Sequence, residues 1–97
     1  MITRYPTYVP MILERGTMRL PNITRDKFLL SEGLTGAQLQ YIVRRRLNMT
    51  SAEALFLLLE SGRMIPPDAE VRALHNEFRN LDDGFLYARY TTEDAFG

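Results

Sequence analysis

The sequence predicts a single α+β domain in which a mixed sheet packs on one main helix and a second, shorter helix. Three observations support this class. Short apolar runs typical of strands lie in both halves of the chain, a capped segment with helical spacing separates them, and a strand-like run stands close to the C-terminus. Ninety-seven residues are enough for one hydrophobic core, and we expect no second domain.

Two strands are predicted before the main helix. Residues 9–15 form an apolar run with Pro10 near its start, where a missing backbone N–H is tolerated. Residues 27–31 predict the second strand, because three consecutive apolar residues stand between Lys27 and Ser31.

The main helix is predicted to begin after Thr35. Thr35 and Gln38 match a T-x-x-Q capping box, in which each side chain accepts a hydrogen bond from the other residue's backbone N–H. Residues 44–46 are three arginines in the last turn, where positive charge complements the helix dipole. Apolar residues recur at helical spacing on one face, at Leu39, Ile42, Val43 and Leu47.

The third strand is predicted over residues 54–59, a run apolar enough to be buried on both faces. A turn over residues 60–63 follows, and Met64 and Ile65 predict a short return strand.

A second helix and a last strand complete the domain. Asp68 is predicted to cap the helix, and residues 82–84 turn the chain into a strand over 84–90. The resulting order of elements is that of the ubiquitin-like β-grasp, in which a mixed sheet curls over the first helix and the last strand lies parallel beside the first. The apolar face of the second helix carries Val71, Leu74 and Phe78.

The C-terminus is typical of a ubiquitin-like modifier. A polar tail follows the last strand and ends at Phe96 and Gly97. Glycine suits a carboxylate that must enter a narrow enzyme channel, because it has no Cβ. We therefore predict a β-grasp domain over residues 1–90 and a flexible conjugation tail over 91–97, with Phe96 and Gly97 as the conjugation residues.

The composition argues against several function classes. The longest apolar run has six residues, against roughly 20 for a membrane-spanning helix. The chain has no cysteine, one histidine and no Gly-rich phosphate loop or nucleophile triad, so we expect no catalysis, metal or cofactor. Net charge is +5 over residues 1–47 and −5 over the remainder. The basic half suits an acidic ligand or an anionic membrane surface, although such a division of charge is also common in solvated surfaces.

Several blocks along nearly the whole chain form a recognisable pattern in their order and spacing. They are residues 4–6, 9–14, 27–29, 34–35, 43–46, 54–56, 65–67, 84–87, 90 and 96–97. In these blocks the chain resembles the GABARAP-type autophagy modifiers. The resemblance implies a cytoplasmic modifier whose terminal glycine is activated with ATP, passed through activating and conjugating enzymes as thioesters, and joined to phosphatidylethanolamine on autophagosomal membranes. A cysteine protease would expose the glycine if further residues follow it.

The chain also departs from this family pattern. Members usually carry two helices before the first strand, and this chain starts just before that strand, so we expect these helices to be missing. Ser31 stands where proline is common, and the turn over residues 60–63 is about two residues longer.

The resemblance also implies a groove that binds aromatic-x-x-aliphatic motifs of autophagy receptors, with the second strand as its open edge. Nucleic acid is not an expected partner. The pocket for the aromatic anchor would be lined by Pro10, Ile12, Lys27, Leu29 and Phe85. The pocket for the aliphatic anchor would be lined by Phe28, Leu30, Leu34, Leu39, Ile42, Val43 and Arg46. For Leu39, Ile42 and Val43 a core role is an equal alternative.

Two other functions stay open at this point. The chain could be the related autophagy modifier that is joined to a protein lysine, although residues 9–14 and 27–29 favour the lipid-conjugated type. It could also be a non-conjugated β-grasp interaction module whose terminal glycine has no role.

Overall fold

The structure, a computed structural model, describes residues 8–16, 27–50 and 53–92. It confirms the predicted order of elements and the α+β class. Within the described residues the elements are β1 (Tyr8–Arg15), β2 (Lys27–Ser31), α1 (Gly36–Arg46), β3 (Phe56–Leu59), α2 (Val71–Phe78) and β4 (Leu86–Thr91). Neither of these two helices has the length and apolar content needed to cross a membrane.

The sheet is mixed, with the strand order β2-β1-β4-β3. β1 pairs with β2 in the antiparallel sense and with β4 in the parallel sense, and β4 pairs with β3 in the antiparallel sense. This arrangement confirms the prediction that the last strand lies parallel beside the first. It leaves β2 and β3 as the two edges of the sheet.

The two faces of the sheet differ because side chains alternate along each strand. In β1, Val9, Met11 and Leu13 are buried and join one core with α1 and α2, whereas Pro10 and Ile12 are partly exposed on the opposite side. We call this second side the outer face. The outer face holds one half of the candidate site described below.

α1 begins with the predicted capping box. The Thr35 hydroxyl accepts a hydrogen bond from the Gln38 N–H at 3.3 Å, and the Gln38 side chain accepts one from the Thr35 N–H at 2.9 Å. Arg44 does more than complement the helix dipole, because its guanidinium donates to the carbonyls of Thr50 and Glu53 at 3.1 and 2.7 Å. It thereby ties the end of α1 to the segment before β3.

The prediction that Asp68 caps α2 is wrong. The residue before the helix is Glu70, and its side chain makes no capping hydrogen bond. The first free backbone donors of α2 are satisfied instead by the loop between β2 and α1, whose carbonyls accept from Val71 and Arg72 at 2.8 and 3.1 Å. A tertiary contact has taken the place of the side-chain cap.

Three strand predictions need smaller corrections. The return strand at Met64 and Ile65 is reduced to one isolated bridge between Met64 and Leu58, and β3 is shorter than residues 54–59. Consecutive burial of Leu57 and Leu58 confirms that β3 is covered on both faces. β4 begins at Leu86, two residues later than predicted, and ends at Thr91, one residue past the predicted end.

Candidate peptide-binding edge

β2 is the sheet edge that an extended peptide could join. β3, the other edge, is covered by its own return segment, because the Ile65 N–H donates to the Leu57 carbonyl at 2.9 Å and the Leu59 N–H donates to the Arg63 carbonyl at 2.8 Å. Within residues 8–16, 27–50 and 53–92, β2 pairs with β1 alone. No other described residue pairs with the backbone groups on its other side, which are the groups that strand addition would use.

The predicted residues of the aromatic pocket come together on the outer face. Pro10 pairs with Leu29, and Ile12 pairs with Lys27. The Lys27 Nζ lies 4.8 Å from the centre of the Phe85 ring, a cation–π distance. Leu29 is the exposed member of this group, with 67% of its surface accessible. The predicted aromatic pocket therefore presents an apolar surface to solvent beside the β2 edge, with the Lys27 ammonium at its rim.

The predicted residues of the aliphatic pocket divide into two groups. Leu39 and Val43 are fully buried in the core, so the structure gives them the core role, and a ligand could not touch them without displacing a neighbour. Leu34 and Ile42 are half-buried, and the Arg46 guanidinium lies 5.4 Å from the centre of the Phe28 ring. Accessible surface in this half comes mainly from Leu34, Ile42 and Arg46.

Phe28 and Leu30 belong with the core more than with the surface. β2 alternates between exposed and buried side chains, and these two residues retain 7% and 5% of their accessible surface. They pack in the same cluster as α1. Whether either residue contacts a peptide stays a prediction.

Two residues beside the aromatic pocket were missed by the sequence reasoning. The Asp83 carboxylate accepts hydrogen bonds from the Phe85 N–H at 2.9 Å and from the Tyr87 hydroxyl. The Tyr87 hydroxyl and the Phe85 N–H lower the pKa of Asp83 below its ordinary value, and Asp83 raises the pKa of Tyr87. The usable signal was an aspartate two residues before Phe85 in a turn, because an Asp side chain in a turn often accepts from the backbone N–H two residues on.

The C-terminal conjugation residues, Phe96 and Gly97, lie outside the described residues, and the division into 1–90 and 91–97 stays a prediction. The structure does describe where the tail starts. The Gly16 N–H donates to the Tyr90 carbonyl at 2.7 Å, and Thr91 is buried at the end of β4. The last part of β4 is therefore held by the end of β1.

The chain is similar in sequence to a family of known proteins. The family model described as "Autophagy protein Atg8 ubiquitin like" matches residues 1–97. The chain is 40% identical to Protein lgg-2 of Caenorhabditis elegans over 97 residues, covering 98% of this chain and 74% of that protein. It is 33% identical to Autophagy-related protein 8e of Arabidopsis thaliana over 95 residues, covering 97% and 76%.

The fold is also similar to a solved structure. The crystal structure of Trypanosoma brucei ATG8 matches with a TM-score of 0.81 and 27% sequence identity, covering 90% of this chain and 74% of that chain. The similarity includes the ubiquitin-like arrangement of a mixed sheet and two helices described above.

Proposed function

Because the chain belongs to the Atg8 family of ubiquitin-like autophagy proteins, we propose that it is joined through Gly97 to phosphatidylethanolamine and also binds receptor peptides at β2. Family membership makes it an autophagy protein of the modifier and scaffold type rather than an enzyme. The observation that carries the peptide-binding role is the open edge of β2 with Leu29 exposed beside the Lys27–Phe85 contact.

The chemistry of this edge supports peptide binding. An extended peptide would form backbone hydrogen bonds with β2, and its alternate side chains would reach the aromatic and aliphatic pockets. Burying two apolar anchors contributes roughly 1.5–3 kcal/mol each, and ordering the peptide offsets part of this gain. The backbone bonds and the anchors together are consistent with micromolar binding, which corresponds to about 8 kcal/mol.

Charge would select among apolar peptides. Lys27 flanks the aromatic pocket and Arg46 flanks the aliphatic one, so acidic residues beside the motif would meet a cation at either end. Exposed ion pairs contribute about 0–1 kcal/mol each, so these residues would tune specificity more than affinity.

The conjugation role depends on the carboxylate of Gly97. An activating enzyme would join this carboxylate to AMP with release of pyrophosphate, and an enzyme thiol would then displace AMP to form a thioester. After transfer to the conjugating enzyme, the amine of phosphatidylethanolamine would displace the thiol and form an amide. The two acyl chains of that lipid would anchor the protein stably, whereas a single chain gives marginal attachment. In this proposal the chain is cytoplasmic before conjugation and bound to the autophagosomal membrane afterwards.

Reconstitution tests this function and its nearest alternative together. The chain is incubated with activating and conjugating enzymes, ATP and phosphatidylethanolamine vesicles, in the presence of a lysine-bearing acceptor protein. We expect a lipid adduct by gel mobility and mass spectrometry. Attachment to the acceptor's lysine alone would favour the lysine-conjugated modifier, and no adduct with active enzymes would favour the non-conjugated module.

A further inference from the structure

The turn before β4 is organised around one carboxylate. The Asn80 side-chain oxygen accepts hydrogen bonds from the N–H groups of Asp82 and Asp83 at 2.8 and 3.2 Å. The Asp83 carboxylate then accepts from the Phe85 N–H with one oxygen and from the Tyr87 hydroxyl with the other. Asp83 therefore joins the backbone of a predicted pocket residue to a side chain on β4.

Tyr87 connects this turn to the predicted aromatic pocket through the pairing of the strands. Its position on β4 pairs with Ile12 of β1, and Ile12 pairs with Lys27 of β2. The Lys27 Nζ lies over the Phe85 ring. Asp83, Tyr87, Ile12, Lys27 and Phe85 thus form a closed circuit of strand pairings and side-chain contacts on the outer face. Three of the five are residues of the aromatic pocket.

We propose that Asp83 and Tyr87 are positioning residues of the aromatic pocket, and that they set its affinity for the aromatic anchor of a peptide without contributing to the aliphatic pocket. This inference rests on the proposed peptide-binding function. Its physical basis is preorganisation, because a pocket wall that is already held in place does not have to be ordered when the peptide binds.

The protonation states suit this role. The pKa of Asp83 is lowered by its hydrogen bonds, so the carboxylate is charged at neutral pH and able to accept. The pKa of Tyr87 is raised by its hydrogen bond to Asp83 first, then by desolvation and by the nearby negative charges, so its hydroxyl keeps the proton that it donates. At neutral pH the carboxylate acceptor and the hydroxyl donor are therefore both in the forms that this hydrogen bond needs.

Without this hydrogen bond the Tyr87 ring would have free space to move into. A cavity of about 120 Å³ lies beside it, lined by Glu14, Glu60, Tyr87, Ala88 and Arg89. A ring released from Asp83 has room to move into this space, and Asp83 would then no longer link Tyr87 to the Phe85 backbone.

The test measures two peptides against each variant. Tyr87→Phe removes the hydroxyl and keeps the ring, and Asp83→Asn removes the charge. Tyr41→Phe and Asp82→Asn are the matched controls, because within the described residues neither of these two side chains makes a hydrogen bond. One peptide carries an acidic aromatic-x-x-aliphatic motif, and the other has alanine in place of the aromatic residue.

Calorimetry should show that Tyr87→Phe and Asp83→Asn bind the aromatic peptide about three- to tenfold more weakly than wild type, the effect expected from losing one ordinary solvent-exposed hydrogen bond. Affinity for the alanine peptide should stay within about twofold. The ratio of the two affinities within one variant cancels any loss of folded protein. An unchanged ratio in both variants, with wild type binding normally, would overturn this inference alone. A wild type that binds neither peptide would overturn the proposed peptide-binding function and this inference with it.

Discussion

Neighbouring leucines of β2 have opposite environments. Leu29 is exposed on the outer face, whereas Leu30 is buried against the core. The two residues are equivalent in a sequence that reads Phe-Leu-Leu, and only the pairing of β2 with β1 shows which side chain faces which way. The resemblance placed Leu29 in the aromatic pocket and Leu30 in the aliphatic one. Periodicity could not test that placement, because it identifies a strand more readily than it assigns the faces of a short apolar one.

Substitution by aspartate should therefore separate these two leucines. Leu29→Asp should abolish binding of the aromatic-x-x-aliphatic peptide and leave the melting temperature near wild type, because it places a charge on an exposed site. Leu30→Asp should lower the free energy of unfolding by about 3 kcal/mol or more, because it buries a charge and loses an apolar contact. Calorimetry and thermal melting measure both effects. Leu81→Asp, at a residue 89% exposed in a turn, is the control that should change neither.

The contact between Asp83 and Tyr87 predicts how stability depends on pH. The folded-state pKa of Asp83 lies below its ordinary value of 3.8, so its contribution is fully present above pH 3.8 and is lost as pH falls through the folded-state pKa. The folded-state pKa of Tyr87 lies above 10.0, so its contribution is present below pH 10.0 and is lost as pH rises through the folded-state pKa.

Thermal melts of wild type and Asp83→Asn across pH check this dependence. Wild type should be the more stable protein at neutral pH, and the gap should close as pH falls below 3.8. Asp82→Asn is the control at neutral pH, where it should match the stability of wild type, because within the described residues its side chain makes no hydrogen bond. A gap of constant size from neutral to acid pH would contradict the assigned role of the Asp83 carboxylate.

The helices show how far local sequence signals reach. The capping box of α1 was predictable, because both partners lie within one turn of each other. The start of α2 was not predictable, because its free N–H groups are satisfied by carbonyls from the loop between β2 and α1, about 40 residues earlier. A local sequence pattern does not identify a partner so far away in the chain. Asp68 was predicted because it was the nearest residue of a type that caps helices.

The contact between the start of α1 and the segment before α2 disfavours any side chain larger than hydrogen at Gly36. Its N–H donates to the Ala69 carbonyl at 2.8 Å, and a Cβ at this position would lie 2.1 Å from the Pro66 carbonyl oxygen. Alanine is favoured over glycine in a helix by about 1 kcal/mol. A backbone clash at 2.1 Å outweighs that gain, since overpacking typically costs about 1–3 kcal/mol.

Gly36→Ala should therefore destabilise the domain in denaturant unfolding. The matched control is Gly33→Ala, where the nearest atom to an added Cβ is a Glu70 carboxylate oxygen at 3.8 Å. This second variant should stay within about 0.5 kcal/mol of wild type, as is usual for surface substitutions. Equal effects of the two substitutions would show that the contact between Pro66 and α1 is not a constraint.

The sheet keeps the two proposed functions apart in the molecule. The strand order places β1 between β2, where peptides would bind, and β4, from which the tail departs. The end of β4, where the tail starts, is fixed by the hydrogen bond from the Gly16 N–H to the Tyr90 carbonyl and by burial of Thr91. Chemistry at Gly97 therefore need not disturb the peptide-binding edge, and a conjugated chain could still bind a receptor.

Deletion of Gly97 tests this separation. The chain without Gly97 should fail to form the lipid adduct with activating and conjugating enzymes, ATP and phosphatidylethanolamine vesicles, because Phe96 would then carry the carboxylate and present a bulky side chain to the activating site. Its peptide affinity and melting temperature should equal those of wild type. Leu29→Asp is the reciprocal control, since it should be lipidated at the wild-type rate and fail to bind peptide. Ready lipidation of the chain without Gly97 would contradict the conjugation role. Loss of peptide binding on its deletion would contradict the independence of the tail and the β2 edge.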